Sequence, residues 1–397
     1  MLSLSELLLS VEESKTMALS ALIIELKREG IDVLSFTAGE PDFDTPEFIK
    51  KAAIKAIHNN LTRYTANEGA PDLIRAIIEK FSKDNNLHFE PKNVLVSSGA
   101  KHSIYNVLQA VCNQDDEVIF QSPYWVSYPE MVKLTGAKPV VIETHAEENF
   151  KITPAQLEKA ITAKTKVFLF NSPSNPSGAV YSKDEILVLA EVLKNKDMFI
   201  VSDEIYEKIV FDQEKHFAIG SVETLRDRTI TVNGVSKAYA MTGWRIGYAA
   251  GNEKVIRLAR KLQGHSTSNA CSISQAAAIA ALTHHSEEIE KMVVAFQKRR
   301  DFIVDELNRI EGIHCPLPKG AFYVFFDVSK FYGRSLNGTK ITDSSSFCDY
   351  LLKEERVGLV PGIAFGNDNC VRMSYACSYE EIIDGINRIK NGLKKLG

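Results

Sequence analysis

Several features are scarce or missing from this chain, and each absence narrows what it does. No apolar run in the 397 residues approaches the ~20 needed to cross a bilayer as a helix. Lys and Arg number 47 against 51 Asp and Glu, a net charge of −4, which provides no basic surface for nucleic acid or anionic lipid. The N-terminal stretch 1–10 is apolar but lacks Lys and Arg and is interrupted by Glu6. It therefore reads as an amphipathic arm, not a signal peptide. The six cysteines form no CxxC pair, so the expectation is reduced core thiols in a cytoplasmic protein. The nine histidines include His284 and His285 but no HExxH pattern, and no metal site is expected. Internal repeats and low-complexity tracts are also absent.

What is present suits a large globular protein. The length is more than one ordinary domain needs, and 45% hydrophobic residues can fill two cores. Apolar positions at helical spacing predict a helix over 16–29, stopped by Gly30, and then a strand over 33–36. Thr45 followed by Pro46 reads as an N-cap and first helical residue. From about 47 to 280 short apolar strands alternate with helices. The strands fall at 94–96, 117–120, 140–142, 166–170, 199–201, 229–232 and 247–250, and the helices include 70–85, 101–111 and 183–196. This rhythm predicts an α/β fold with a mostly parallel sheet covered on both faces, whose ligands bind beyond the carboxyl ends of the strands. Beyond 285 come a long charged helix over 286–310, a strand over 321–327, a polar loop over 332–340, and then helix, strand, strand, helix. The expected organisation is an N-terminal segment 1–45 joined to a small α+β domain 286–397, with a large domain at 46–285.

The candidate chemistry lies where predicted strands end. Asn233-Gly-Val-Ser-Lys237 places a lysine just after a buried strand, among small and apolar residues. Desolvation there lowers an amine pKa toward neutrality, as attack on a carbonyl requires. Arg245 follows between Gly243 and Gly247, where backbone can approach an anion closely. A lysine of this kind with an arginine nearby suits an aldehyde cofactor that carries a phosphate. The run 97–101, with Gly99, Ala100 and Lys101, joins a strand to a helix start and fits either a phosphate cradle or an ordinary turn. Asp203 and Tyr206 follow the 199–201 strand directly. Arg372 alternates with apolar residues on a strand, where its planar fork matches either a substrate carboxylate or an internal acid.

The stretch from Asn233 to Tyr248 resembles the lysine motif of class I aminotransferases, in particular subgroup Ib of the aspartate aminotransferases, and the similarity runs from about residue 11 to the C-terminus. The resemblance implies fold type I, pyridoxal 5′-phosphate as cofactor, and Lys237 as the lysine that bonds it and moves the substrate proton. It further implies that Gly99, Ala100 and Arg245 hold the phosphate and that Asp203 pairs with the ring nitrogen. Asn175, in the motif Asn171-Ser-Pro-Ser-Asn175-Pro-Ser-Gly178, and Tyr206 contact the phenolic oxygen, and Trp125 stacks on the ring. Gly39 and Arg372 bind the substrate α-carboxylate. Tyr64 reaches the phosphate of a neighbouring subunit, so a homodimer is expected. Gly234 departs from the family, which often has a phosphate-binding serine there, and Ser236 is the candidate replacement. Lys101 matches the subgroup's cation for a distal carboxylate, which implies aspartate and 2-oxoglutarate as substrates. Relatives that use prephenate have a basic residue where this chain has Glu12, so little prephenate activity is expected. Other amino donors, including alanine and aromatic amino acids, or a lyase of the same fold, are the alternatives.

Overall fold

The computed structural model describes residues 4–13, 15–336 and 338–396. A seven-stranded sheet dominates it, in the order Val94–Ser97, Gly247–Ala250, Thr229–Gly234, Phe199–Asp203, Thr165–Asn171, Glu117–Ser122 and Lys138–Glu143. The last five run parallel, while Gly247–Ala250 is antiparallel to both its neighbours. The central strands are apolar and buried along nearly their whole length because helices cover both faces. On one face Leu73, Ile77 and Phe81 of helix Pro71–Asn85 pack with Ala277, Ala278 and Ala281 of helix Ser272–Thr283. On the other, Ile104, Val107 and Leu108 of helix Ala100–Val111 meet Val255, Ile256 and Ala259 of helix Glu253–Gly264.

Helix Glu287–Asn308 leads to a three-stranded antiparallel sheet made of Val360–Pro361, Cys370–Ser374 and Tyr323–Asp327. Helices Ser344–Glu355 and Tyr379–Lys395 pack beside it, and Asp343 and Ser378 start them with reciprocal capping boxes. The N-terminal strand Leu34–Ser35 pairs in parallel with Val357–Gly358, and Leu34 and Phe36 share one core with Phe326, Val371 and Ile386. Ile205, Tyr206 and Ile209, just past the Phe199–Asp203 strand, enter that same core.

Two local expectations need correction. Residues 332–340 are not all loop: Ser335–Leu336 and Thr339–Lys340 form a small antiparallel hairpin. Thr45 does not cap the next helix, which is Glu47–His58 with Pro46 at the N-cap. Its hydroxyl instead donates to the carbonyl of Ala240 at 2.6 Å and accepts from Trp244 Nε1 at 3.0 Å. A tertiary partner in the loop after Lys237 takes the hydroxyl that local geometry would have given to the helix.

Gly247 makes a tight joint between sheet and helix. It pairs with Ser97 on one side and Gly234 on the other, and a Cβ on it would lie 2.1 Å from the amide nitrogen of Ala100. Gly247→Ala must push the helix start away from the strand. It is expected to cost about 1–3 kcal/mol, as other overpacking changes do, read as a lower urea midpoint with unchanged slope. An unchanged midpoint would show that this corner gives way freely.

Candidate active site

Serine, asparagine, aspartate and glycine stand where the strands Glu117–Ser122, Thr165–Asn171, Phe199–Asp203 and Thr229–Gly234 stop. A cavity of about 590 Å³ opens above this polar edge, walled by helix Lys15–Arg28 and by the strands that carry Tyr323 and Arg372. Ten residues singled out in the sequence line it together: Gly39, Ala100, Lys101, Trp125, Asn175, Asp203, Tyr206, Lys237, Arg245 and Arg372. Their positions in the chain span more than 300 residues, and the sheet edge is what gathers them.

Lys237 is partly buried in the loop after Thr229–Gly234, and its Nζ donates to the carbonyl of Gly39. Burial, reinforced by the charges of Arg245 and Arg372 and opposed by those of Glu40 and Asp203, lowers its pKa to about 8. Asp203 shows the opposite trend. Burial raises its carboxyl to about 6, although Tyr128 donates a hydrogen bond to Oδ2 at 2.7 Å and the Ile205 amide donates to Oδ1 at 3.3 Å. Tyr206 is buried with its hydroxyl 2.9 Å from that of Tyr323. Asn171 Nδ2 donates to the Asp203 carbonyl at 2.9 Å, and Asn171 Oδ1 accepts from the Asn175 amide at 3.0 Å. One asparagine thus ties two strand ends into one platform.

Arg372 is only 3% exposed. Its Nη1 donates to Asn175 Oδ1 at 3.0 Å and its Nη2 to the Thr37 carbonyl at 2.8 Å, while the guanidinium sits 4.5 Å from the Tyr323 ring centre. Among the described residues its Nε has no partner. A buried cation held only by neutral acceptors, with one donor unsatisfied, is ready for a carboxylate. At the other side of the cavity, Lys101 Nζ lies 4.9 Å from the Trp125 ring centre. Partial burial and then the charge of Arg245 lower the pKa of this amine.

The corner around Gly99 and Arg245 has the form of an anion cradle. Helix Ala100–Val111 starts without a side-chain cap, because Gly99 stands at the N-cap with φ +92°. A Cβ there would lie 2.3 Å from Arg245 Nη2. Arg245 is exposed and steadied by the carbonyls of Thr242 and Ser98, at 2.9 and 3.3 Å. Uncapped amides at the positive end of a helix beside a guanidinium fit a phosphate. Ser236 also lines the cavity.

Two expected participants stand elsewhere. Tyr64 is 92% exposed and absent from the cavity wall. Glu12 is exposed too, with its amide donating to Glu130 Oε2 at 2.9 Å, and it is not among the described residues that line the cavity. Sequence reading missed Tyr128, Tyr323, Thr37 and helix Lys15–Arg28 as parts of the site. Tyr128 stands three residues beyond Trp125 and packs edge-on against its ring at 5.4 Å, a spacing that could have signalled it. Tyr323 and Thr37 carried no local signal, because only tertiary packing brings them to Arg372.

The lowered amine pKa gives a direct test. In cofactor-free protein, acylation of Lys237 followed by mass spectrometry is expected to reach half its maximal rate near pH 8, whereas exposed lysines do so near 10.4. Between these values the unfolded chain binds the extra proton, so the native protein should gain stability relative to Lys237→Met as pH rises through that window. A Lys237 profile matching the surface lysines would remove the electrostatic basis of the site.

The family model for class I and II aminotransferases matches residues 31–389. The aspartate/prephenate aminotransferase of Cereibacter sphaeroides is 49% identical over 98% of both chains. The aspartate aminotransferase of Bacillus subtilis is 45% identical over 96% of both. Among solved structures, an aspartate aminotransferase from Rhizobium meliloti superposes with a TM-score of 0.96 at 42% identity over the whole of each chain. A type I sheet edge with a near-neutral lysine, an uncapped phosphate cradle and a buried carboxylate clamp agrees with these likenesses: the chain belongs to the class I and II aminotransferases, and its cofactor is pyridoxal 5′-phosphate.

Proposed function

We propose that the protein transfers the amino group of L-aspartate to 2-oxoglutarate, giving oxaloacetate and L-glutamate by alternating half-reactions. The observation that carries this reading is the pair of cations in one cavity. Arg372 is suited to the α-carboxylate common to all amino acids, and Lys101 is a second cation for a distal carboxylate. The names of the two curated relatives support the same substrate.

In this reading Arg245 and the helix start at Gly99 and Ala100 take the cofactor phosphate, Asp203 the ring nitrogen, Asn175 and Tyr206 the phenolic oxygen, and Trp125 the ring face. Bound pyridoxal phosphate supplies an electron sink for the charge developed at the substrate α-carbon. Lys237 Nζ is the covalent anchor and the base that accepts the proton from that carbon, and an amine pKa of about 8 leaves a useful neutral fraction near neutral pH. Burial of Asp203 keeps water from competing for its carboxylate. When substrate enters, its carboxylate replaces Asn175 and Thr37 on the Arg372 fork, because charge-assisted hydrogen bonds outweigh neutral ones. The backbone at Gly39 closes over it.

The division into 1–45 with 286–397 and a separate 46–285 is part of the proposal, supported by the pairing of Leu34–Ser35 with Val357–Gly358. So is a homodimer, in which Tyr64 serves the partner's phosphate. Tyr64 is fully exposed, and Ile54, Ile57 and Leu61 nearby in the chain are exposed apolar residues. Six free cysteines support a reducing, cytoplasmic setting. No helix among the described residues is long and apolar enough to cross a membrane. A second reading adds prephenate as a substrate. It is favoured by the name of the relative from C. sphaeroides and by the position of Glu12 away from the cavity wall.

Steady-state assays with aspartate, alanine, phenylalanine and prephenate test these assignments. Lys101→Ser is expected to raise KM for aspartate at least tenfold while changing that for alanine less than threefold, since ~1.4 kcal/mol is a tenfold effect. An equal loss on all substrates would place Lys101 in the phosphate site instead. Asp203→Ala should lower kcat by several powers of ten with the fold intact, and a loss of less than about tenfold contradicts its role. Sedimentation should give a dimer; a fully active monomer rules out the shared site at Tyr64.

A further inference from the structure

The turn that carries Asp203 and Tyr206 has a second face, occupied by ionisable groups that the proposed reaction does not use. Asp203 and Tyr206 line the cavity. Glu204 and Glu207 instead enter a buried cluster with Lys80 and Asn85 of helix Pro71–Asn85 and with His216. Lys80 Nζ pairs with Glu207 Oε1 and donates to Asn85 Oδ1 at 2.6 Å. Asn85 Nδ2 donates to Glu207 Oε2 at 2.8 Å and to Glu204 Oε2 at 3.3 Å. Ser202 Oγ donates to Glu204 Oε1 at 2.8 Å, and His216 Nε2 lies 2.8 Å from Glu204 Oε2. Exposure of the four ionisable side chains is 1% for Glu204, 6% for Glu207, 4% for Lys80 and 9% for His216. The same residues hang the turn on the sheet, since the Glu204 amide donates to the Val232 carbonyl at 2.9 Å and the Glu207 amide to the Glu204 carbonyl at 3.0 Å.

The charges must balance, because an unpaired charge buried this deeply is strongly destabilising. Two carboxylates face one ammonium, so with Glu204 and Glu207 both ionised the cluster is neutral when His216 carries its proton, at the cost of a buried Nδ1–H that has no partner among the described residues. Other charged groups stand at the rim. Asp84 lies 4.0 Å from Lys80 Nζ but is paired with Lys208 at 2.7 Å. The phenols of Tyr239 and Tyr248 face Glu207 from the lysine loop and from strand Gly247–Ala250, and burial keeps both protonated. Burial alone would strip the His216 proton, but the charges of Glu204 and Glu207 outweigh burial and Lys80 and raise its pKa. Burial likewise opposes ionisation of Glu207, yet Lys80, His216 and Asn85 hold it at about 2. Ligand atoms of Glu204, Glu207 and His216 lie within 4.8 Å of one another, as a metal would require. The Lys80 ammonium already takes Glu207, however, and one proton achieves the neutrality that a dication would overshoot.

We propose that Glu204 and His216 are positioning residues: the His216 imidazolium completes a neutral buried cluster with Lys80, Glu204 and Glu207, and this cluster fixes the turn so that Asp203 and Tyr206 face the cofactor site. The kinetic consequence rests on the aminotransferase reading, whereas the protonation of His216 does not.

Four holoenzymes decide it: wild type, Glu204→Gln, His216→Gln and the double variant. Nitrogen NMR of the histidine side chains, assigned by the signal missing in His216→Gln, should show His216 holding its proton at least one pH unit higher in wild type than in Glu204→Gln. His216→Gln leaves one excess negative charge. It should lower kcat for aspartate about tenfold with KM within twofold, and shift the pH at which the bound cofactor changes colour. The double variant removes one charge of each sign, and its kcat should return to within about threefold of wild type. A purely structural role predicts a double variant at least as impaired as His216→Gln, and that result overturns the proposal, as does equal titration of His216 in wild type and Glu204→Gln. Should His216→Gln fail to fold, folding of the double variant supports charge balance and its failure opposes it. Should wild type lack aspartate activity altogether, the substrate reading falls while the His216 titration still decides the cluster.

Discussion

Arg372 is the joint on which the cavity depends. Its guanidinium sits on a strand of the C-terminal sheet, yet it is held by Thr37 from the N-terminal segment and Asn175 from the edge of the large sheet. Two of the donors of this buried cation are satisfied, and they join three parts of the chain. The walls therefore converge on one charge. A ligand that brings its own carboxylate changes both hydrogen bonds together, which is how binding at one point can move whole segments.

Around that joint the protein holds several ionisable groups away from their ordinary pKa values by burial. Lys237 is driven toward neutrality and Asp203 toward protonation, both chiefly because water is excluded. Neither shift is useful unless the groups stay aligned. Alignment comes from neutral hydrogen bonds on the cavity side, through Tyr128 and Asn171, and from paired charges on the far side, through Glu204 and Glu207. Two pairs spaced three residues apart, Asp203 with Tyr206 and Glu204 with Glu207, thus put chemistry on one side of a turn and its support on the other.

Most of the cofactor machinery was legible in the chain because each piece sits at a strand end with a local signature. Gly99 before a helix, Asp203 after a buried strand, Lys237 after Asn-Gly and Arg372 among apolar residues all carry that mark, and all stand at the cavity or against it. Thr45 was misread because its local signature, a hydroxyl before proline, lost to a carbonyl almost two hundred residues away. Tyr323 and the helix Lys15–Arg28 gave no sign of reaching the site, since neither has a motif and both arrive by packing.

The alternation of strands and helices, the lysine after the buried strand, the glycine that leaves a helix start bare, and membership of a family whose cofactor follows from those motifs can all be read along the chain. These are properties of short stretches, set by side-chain periodicity, backbone freedom and desolvation next to a strand. Tertiary structure alone decided which charges meet. Arg372 finds Thr37 and Asn175, Lys101 finds Trp125, and His216 finds Glu204 only once sheet, helices and N-terminal segment are packed. Electrostatic balance in a buried site depends on distances between residues far apart in the chain, and such distances have no local signature.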